Sequence, residues 1–254
     1  MKSEQTIAKQ IEWLTYPSLS PDSSLRVSAI DQQNNLTKPQ GSLGRLEQVA
    51  IQLASLSKSD KPCIDRVSII IFAADHGIAS ESVSLFPQSV TVEMIKNFVN
   101  GGAAISVLAK ELDARLDIVN VGTITATDHL QQVYNDRVAS GTTSFCRDQA
   151  MTQDQLSKAL TVGRNHILRI EDAGCDLFIG GEMGIGNTTA STAILCKLFA
   201  LEAKEFCGPG TGLSQAGIEH KINIVDQSLQ FHRDLNNDPI SVLAGFGGFE
   251  IAAL

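Results

Sequence analysis

The chain has 254 residues, 43% hydrophobic and 19% charged, enough to bury a large core as one big domain or one domain plus a small annex. Its 20 Lys and Arg stand against 28 Asp and Glu, a formal net charge of −8. An acidic chain without a Lys/Arg-rich run lacks the electrostatic footprint of nucleic-acid binding, and no basic amphipathic stretch would hold it on an anionic membrane. The longest apolar run, Val67–Ala74 and interrupted only by Ser68, is far short of the roughly 20 residues a membrane span needs.

The opening MKSEQTIAKQIEWL is polar and amphipathic, with no apolar h-region and no small-residue cleavage site, so no secretory signal is read there. Two helical stretches are predicted at the start, residues 4–15 and roughly 25–33, with the Pro/Ser loop YPSLSPDSS between them. Pro39 and Gly41 then punctuate a loop, and Gly44 opens a helix in which Leu43, Leu46, Val49, Ala50, Leu53 and Leu56 recur at helical spacing. RVSIIIFAA has no polar alternation, the pattern of a strand buried on both faces of a parallel sheet, and it runs directly into Asp75-His76-Gly77. One helix is predicted over residues 90–112, then a second buried strand, LDIVNV (116–121), ending in Gly122-Thr123. Residues 128–143 are polar and unassigned. A helix over 152–173 leads to a third strand, 177–179, and to the segment GGEMGIGNTT; helices follow over 188–200 and from about 213 through 230. Strand, loop and helix in series imply an α/β fold with a parallel sheet, whose ligands sit at the carboxyl ends of the strands.

Three segments fall at those ends. GGEMGIGNTT (180–189) sits between strand and helix, with glycines at 180, 181, 184 and 186. Backbone N–H groups, the helix dipole and the polar side chains of Asn187, Thr188 and Thr189 suit a phosphate or ribose, although glycine richness alone fits a tight turn equally well. Glu182 sharpens the reading: a carboxylate in an anion loop needs a positive partner or a ribose hydroxyl, and a pyridinium nucleotide supplies both. GPGTGLSQAGIEHK (208–221) follows, with Gly208, Gly210 and Gly212 around a turn and Lys221 two turns into a helix. Lys221 reaches a phosphate as a point charge or ends, as most lysines do, at the surface. Asp75 and His76 suit acid–base work or a backbone-bonded loop histidine; no second His or Cys stands at ligand spacing, so no metal is expected. Phe86, Met94 and Phe98 fit either an apolar slot for an aromatic ring or plain core. The five cysteines form no CxxC pair and read as reduced thiols of a cytosolic protein.

TKPQGSLGRLE, FAADHGIASESVSLFPQSVT, NFVNGGAAISVLAK, GGEMGIGNTTAS, GPGTGLSQAGIEHK and FGGFEIAAL occur in that order. Together, over residues 36–254, they resemble the nicotinate-nucleotide–dimethylbenzimidazole phosphoribosyltransferases of cobamide biosynthesis. The resemblance implies a Rossmann-like, three-layer α/β domain (residues 61–254) with an N-terminal helical annex (residues 1–60), a cytoplasmic homodimer and no cofactor. It implies transfer of the phosphoribosyl group of nicotinate mononucleotide to dimethylbenzimidazole, giving α-ribazole phosphate and nicotinate. Glu182 then stands at the ribose and ring with a catalytic role, Gly184, Gly186, Asn187, Thr188, Gly208, Gly210 and Lys221 hold the nucleotide and its phosphate, and Phe86, Met94 and Met183 line the acceptor pocket. Family members continue past GGFEIAAL, and the glutamate regarded as their general base falls beyond Leu254. GFGGFEIAAL reads as the start of an apolar helix without a stop, so a shortened chain is expected. The other readings are a nucleotide-binding remnant without turnover and a relative that uses another acceptor, such as a purine or a phenol.

Overall fold

The computed structural model describes residues 11–254. The chain divides into two compact units, Glu12–Asp65 and the remainder from Arg66 to Leu254.

The first unit is a helix pair. A 3-10 turn over Glu12–Thr15 is what the described residues show of the helix predicted at 4–15; its earlier part lies outside them. Helix α1 (Ser23–Asn35) begins where the Asp22 carboxylate accepts from the N–H groups of Ser24 and Leu25, satisfying donors that the first turn leaves unpaired. Helix α2 (Arg45–Ser57) carries Glu47 in its first turn, where it takes both the Leu43 N–H at 3.1 Å and the Lys38 ammonium at 2.7 Å.

The second unit is built on a four-stranded, all-parallel sheet of order β3-β2-β1-β4, with helices on both faces as predicted. The strands are β1 (Val67–Ala74), β2 (Arg115–Gly122), β3 (Val133–Asn135) and β4 (Leu177–Met183). β1 lies in the middle, and all of its residues after Val67 are buried. Ile69, Ile71 and Ala73 of one face pack with Ile95 and Phe98 of α3 (Val90–Val99) and Ala109 of α4 (Ala104–Glu111). On the other face Phe72 meets His166 of α5 (Gln153–Asp172) edge-on at 6.0 Å. The continuous β-branched run is therefore explained by two covered faces. The remaining helices are α6 (Asn187–Phe199), α7 (Ala203–Phe206), α8 (Gln215–Phe231), α9 (Pro239–Phe246) and α10 (Phe249–Ala253). Beside the sheet they build a second core in which Phe145 and Phe246 meet edge-on at 5.6 Å.

Three element boundaries differ from the sequence reading. The helix predicted over 90–112 is two helices, because Gly101 turns into the left-handed region at φ 79° and ends the first. The polar stretch 128–143 contains the edge strand β3, whose register sets Ile118 against Val133. Three residues of strand are too few for periodicity to reveal. The third predicted strand runs on to Met183, so Gly180, Gly181 and Glu182 belong to β4 and pair with β1, Phe72 opposite Glu182.

Candidate active site

The chain leaves β1 to place β2 on one side and returns to place β4 on the other. The carboxyl ends of β1 and β4 therefore flank a topological switch point, where parallel α/β sheets open a crevice. Asp75 and His76 follow β1, and residues 184–186 follow β4. β2 is drawn in too: the Ile124 N–H donates to Asp75 Oδ2 at 2.8 Å.

On the β4 side lies a cleft of about 410 Å³. Glu182, Asn187, Thr188, Gly208, Gly210 and Lys221 line it together. Two segments that the sequence separates by some twenty residues are joined there. Lys221 is not at the surface, the commoner fate of a lysine: it is 1% exposed, and its Nζ donates to Thr188 Oγ1 at 2.8 Å. Burial pushes its ammonium below the ordinary lysine range. Asn187 donates from Nδ2 to Glu182 Oε1 at 2.6 Å and accepts the Thr188 N–H at Oδ1 at 2.7 Å. The other Glu182 oxygen is buried with no hydrogen-bond partner.

The first N–H groups of α6 are already taken. Asn187 N–H donates to Gly184 O at 3.0 Å, and those of Thr189 and Ala190 to Gly186 O at 3.0 and 3.2 Å. The helix start thus offers its dipole more than its donors. What Gly184 provides is space. A Cβ there would lie 2.9 Å from both Cδ2 and Nε2 of His76 and 2.6 Å from Ala74 O. From the opposite side, a Cβ on Gly248 would come within 2.3 Å of His76 Cε1. The imidazole is enclosed between two segments that have no side chain at the point of contact.

His76 is fully buried, and its Nε2 makes a short hydrogen bond to Glu250 Oε1 of α10, also fully buried. Its backbone carbonyl accepts from Gln88 Nε2. Burial alone would push the His76 pKa down. The neighbouring charges of Glu250, Glu182 and Asp75, with the Glu250 hydrogen bond, outweigh it, and the value rises above the ordinary histidine range. Glu182 is raised above the ordinary carboxylate range by burial first and by the Glu250 charge second. Asp75 is raised by burial, opposed mainly by the Ile124 N–H bond. His76 Nδ1, Asp75 Oδ1, Glu182 Oε2 and Glu250 Oε2 are all buried without a hydrogen-bond partner. Such a cluster takes up or releases a proton, or faces a cation.

Glu250 has no part in the sequence reading. Its signal is the lone carboxylate inside the apolar run GFGGFEIAAL, which by itself reads only as the start of a helix. The expected acceptor residues are less united. Met94 and Met183 both pack against the Ile69–Ile71 face of the sheet. Phe86 is 49% exposed on the loop before α3 and is not in that group. Among the described residues no group of three or more His, Cys, Asp or Glu side chains is arranged to hold a metal ion, and no helix is long and apolar enough to cross a membrane.

Comparison with known proteins places the chain. The DBI_PRT family model, described as phosphoribosyltransferase, matches residues 19–254. The nicotinate-nucleotide–dimethylbenzimidazole phosphoribosyltransferase of Ectopseudomonas mendocina (strain ymp) is 48% identical over 245 residues, 96% of this chain and 70% of the relative. The protein of the same name from Pseudomonas putida KT2440 is 51% identical over 231 residues, 89% of this chain and 66% of the relative. Among solved structures, CobT from Thermus thermophilus superposes with a TM-score of 0.84 at 35% identity, covering 91% of this chain and 69% of that one.

Proposed function

The chain belongs to the phosphoribosyltransferase family, and on that premise we propose that it transfers the phosphoribosyl group of nicotinate mononucleotide to 5,6-dimethylbenzimidazole. The bond from C1′ of the ribose to the pyridinium nitrogen breaks, and a bond from C1′ to an azole nitrogen forms. Nicotinate leaves with the electron pair of the broken bond, neutralising its ring nitrogen. The azole gives up its N–H proton, and α-ribazole phosphate is the other product.

The carrying observation is the gathering of Glu182, Asn187, Thr188, Gly208, Gly210 and Lys221 around one cleft at the sheet's switch point. In this reading the Lys221 ammonium and the Thr188 hydroxyl hold the phosphate. Glu182, aimed by Asn187, faces the ribose and the positive pyridinium, and its carboxylate stabilises the cation-like anomeric carbon as the ring departs. Gly184 and Gly186, in the turn after β4, make room for His76. A pyridinium leaves as a neutral ring and needs no acid, so what remains for the protein is to accept the azole proton. The cluster of Asp75 and His76 with Glu250 supplies titratable groups nearby. The acceptor side is assigned to Phe86, Met94 and Met183 by the resemblance alone.

Incubation with nicotinate mononucleotide and dimethylbenzimidazole, followed by chromatography for nicotinate and α-ribazole phosphate, tests the reading. Release of both products together is expected. Neither turnover nor nucleotide binding by calorimetry would sink it. The resemblance also carries a homodimer working in the cytoplasm, which sedimentation equilibrium and cell fractionation check.

A further inference from the structure

One imidazole is bonded to one carboxylate and feels the charge of two more. The charged groups acting on His76 are Asp75 at the end of β1, Glu182 in β4 and Glu250 in α10. Glu182 in turn feels Glu250 and His76, and Asp75 feels His76 and Glu250. His76 is the one group of the four that can carry a positive charge. It is fully buried, bonded through Nε2 to Glu250, and approached closely by Gly184 and Gly248.

We propose that His76 is a positioning residue for phosphoribosyl transfer: held as the imidazolium by Glu250, it places a buried positive charge behind Glu182, so that Glu182 faces the cleft as an anion. The inference rests on the reading that Glu182 meets the nucleotide's ribose and pyridinium. Its physical content is charge balance. The Glu250 charge raises the proton affinity of both Asp75 and Glu182, and so opposes their ionisation. The His76 charge offsets part of the repulsion that Glu250 imposes on Glu182. A carboxyl that must be ionised to stabilise a cation-like carbon loses that power when protonated, so the pair sets the acid side of the enzyme's pH profile.

The charge argument distinguishes this from a merely structural role. His76→Asn leaves Glu250 uncompensated, and the acid limb of kcat/KM for nicotinate mononucleotide should move to higher pH by about one to three units. His76→Asn combined with Glu250→Gln restores neutrality with an amide pair, and the limb should return to within about half a unit of wild type. A limb unmoved in His76→Asn, or displaced equally in the double variant, overturns the proposal; a packing defect lowers the rate without that pattern. Because His76 is buried, the wild-type protein supplies a reading that needs no substitution there. In 15N-histidine-labelled protein, with His129, His166, His220 and His232 assigned by single substitutions, His76 should give the imidazolium signature at neutral pH. A neutral tautomer overturns the proposal. Absence of wild-type turnover is a failure of the functional reading, whereas wild-type turnover with an unmoved limb is a failure of this inference alone.

Discussion

Replacing Lys221 by Met separates function from stability by sign. Met keeps an unbranched apolar stem and discards the ammonium. In the protein Lys221 is 1% exposed, the hydrogen bond of its ammonium goes to a neutral hydroxyl at 2.8 Å, and burial lowers its proton affinity. A buried cation so poorly compensated opposes folding, and a hydrophobic residue of similar shape is neutral or stabilising by about 1 kcal/mol or more. For a domain of this size that corresponds to about 2–4 °C in Tm per kcal/mol. The same ammonium facing a phosphate makes a charged hydrogen bond of about 1.5–3 kcal/mol. Lys221→Met should therefore melt at or above the wild-type temperature by circular dichroism, while its Kd for nicotinate mononucleotide by calorimetry rises about 10- to 150-fold. An unchanged Kd would refute the reasoning, as would a fall in Tm with affinity intact, which would make Lys221 a structural residue.

Other expectations follow from the same geometry. Gly184→Ala would drive a Cβ into the His76 ring and the Ala74 carbonyl, and a loss of about 1–3 kcal/mol is expected in urea unfolding. Gly163→Ala meets the Ala253 carbonyl at 1.8 Å where α5 carries α10, so destabilisation should come with faster hydrogen exchange in α10, measured by mass spectrometry. Burial holds the Asp75 carboxyl above its ordinary range, so the folded chain binds that proton more tightly than the unfolded chain. This contribution is complete below the ordinary carboxylate value and is lost as pH rises through the folded value. Asp75→Asn, which keeps an oxygen for the Ile124 N–H, should therefore gain Tm relative to wild type as pH rises above the ordinary carboxylate value; a pH-independent difference would contradict this. The Cys196 thiol is pushed up to about 11 by burial, so it should resist alkylation near neutral pH while the exposed Cys63 reacts, as peptide mapping would read.

Local pattern carried much of this protein. The β-branched run at residues 67–74 carried the pattern of a strand covered on both faces, and the series of strand, loop and helix placed Asp75, His76 and residues 180–189 at the carboxyl edge, although residues 180–183 belong to β4 itself. The helix predicted over 152–173 is α5, and the structure shows what starts it: Thr152 and Gln155 close a reciprocal capping box. Lys221 was ambiguous because burial is a property of the assembled helices, not of the residue, and only their packing turned a lysine expected at the surface into a buried cation. Glu250 was illegible for the same reason. It lies 174 residues from His76, and no local spacing encodes a pairing made by folding α10 back onto β1. The sequence by itself determined the class of fold, the family and the edge of the sheet that carries the chemistry. The tertiary structure decided which charges meet in the dry interior, because an ion pair depends on distance and burial, and the chain fixes both only once it has closed.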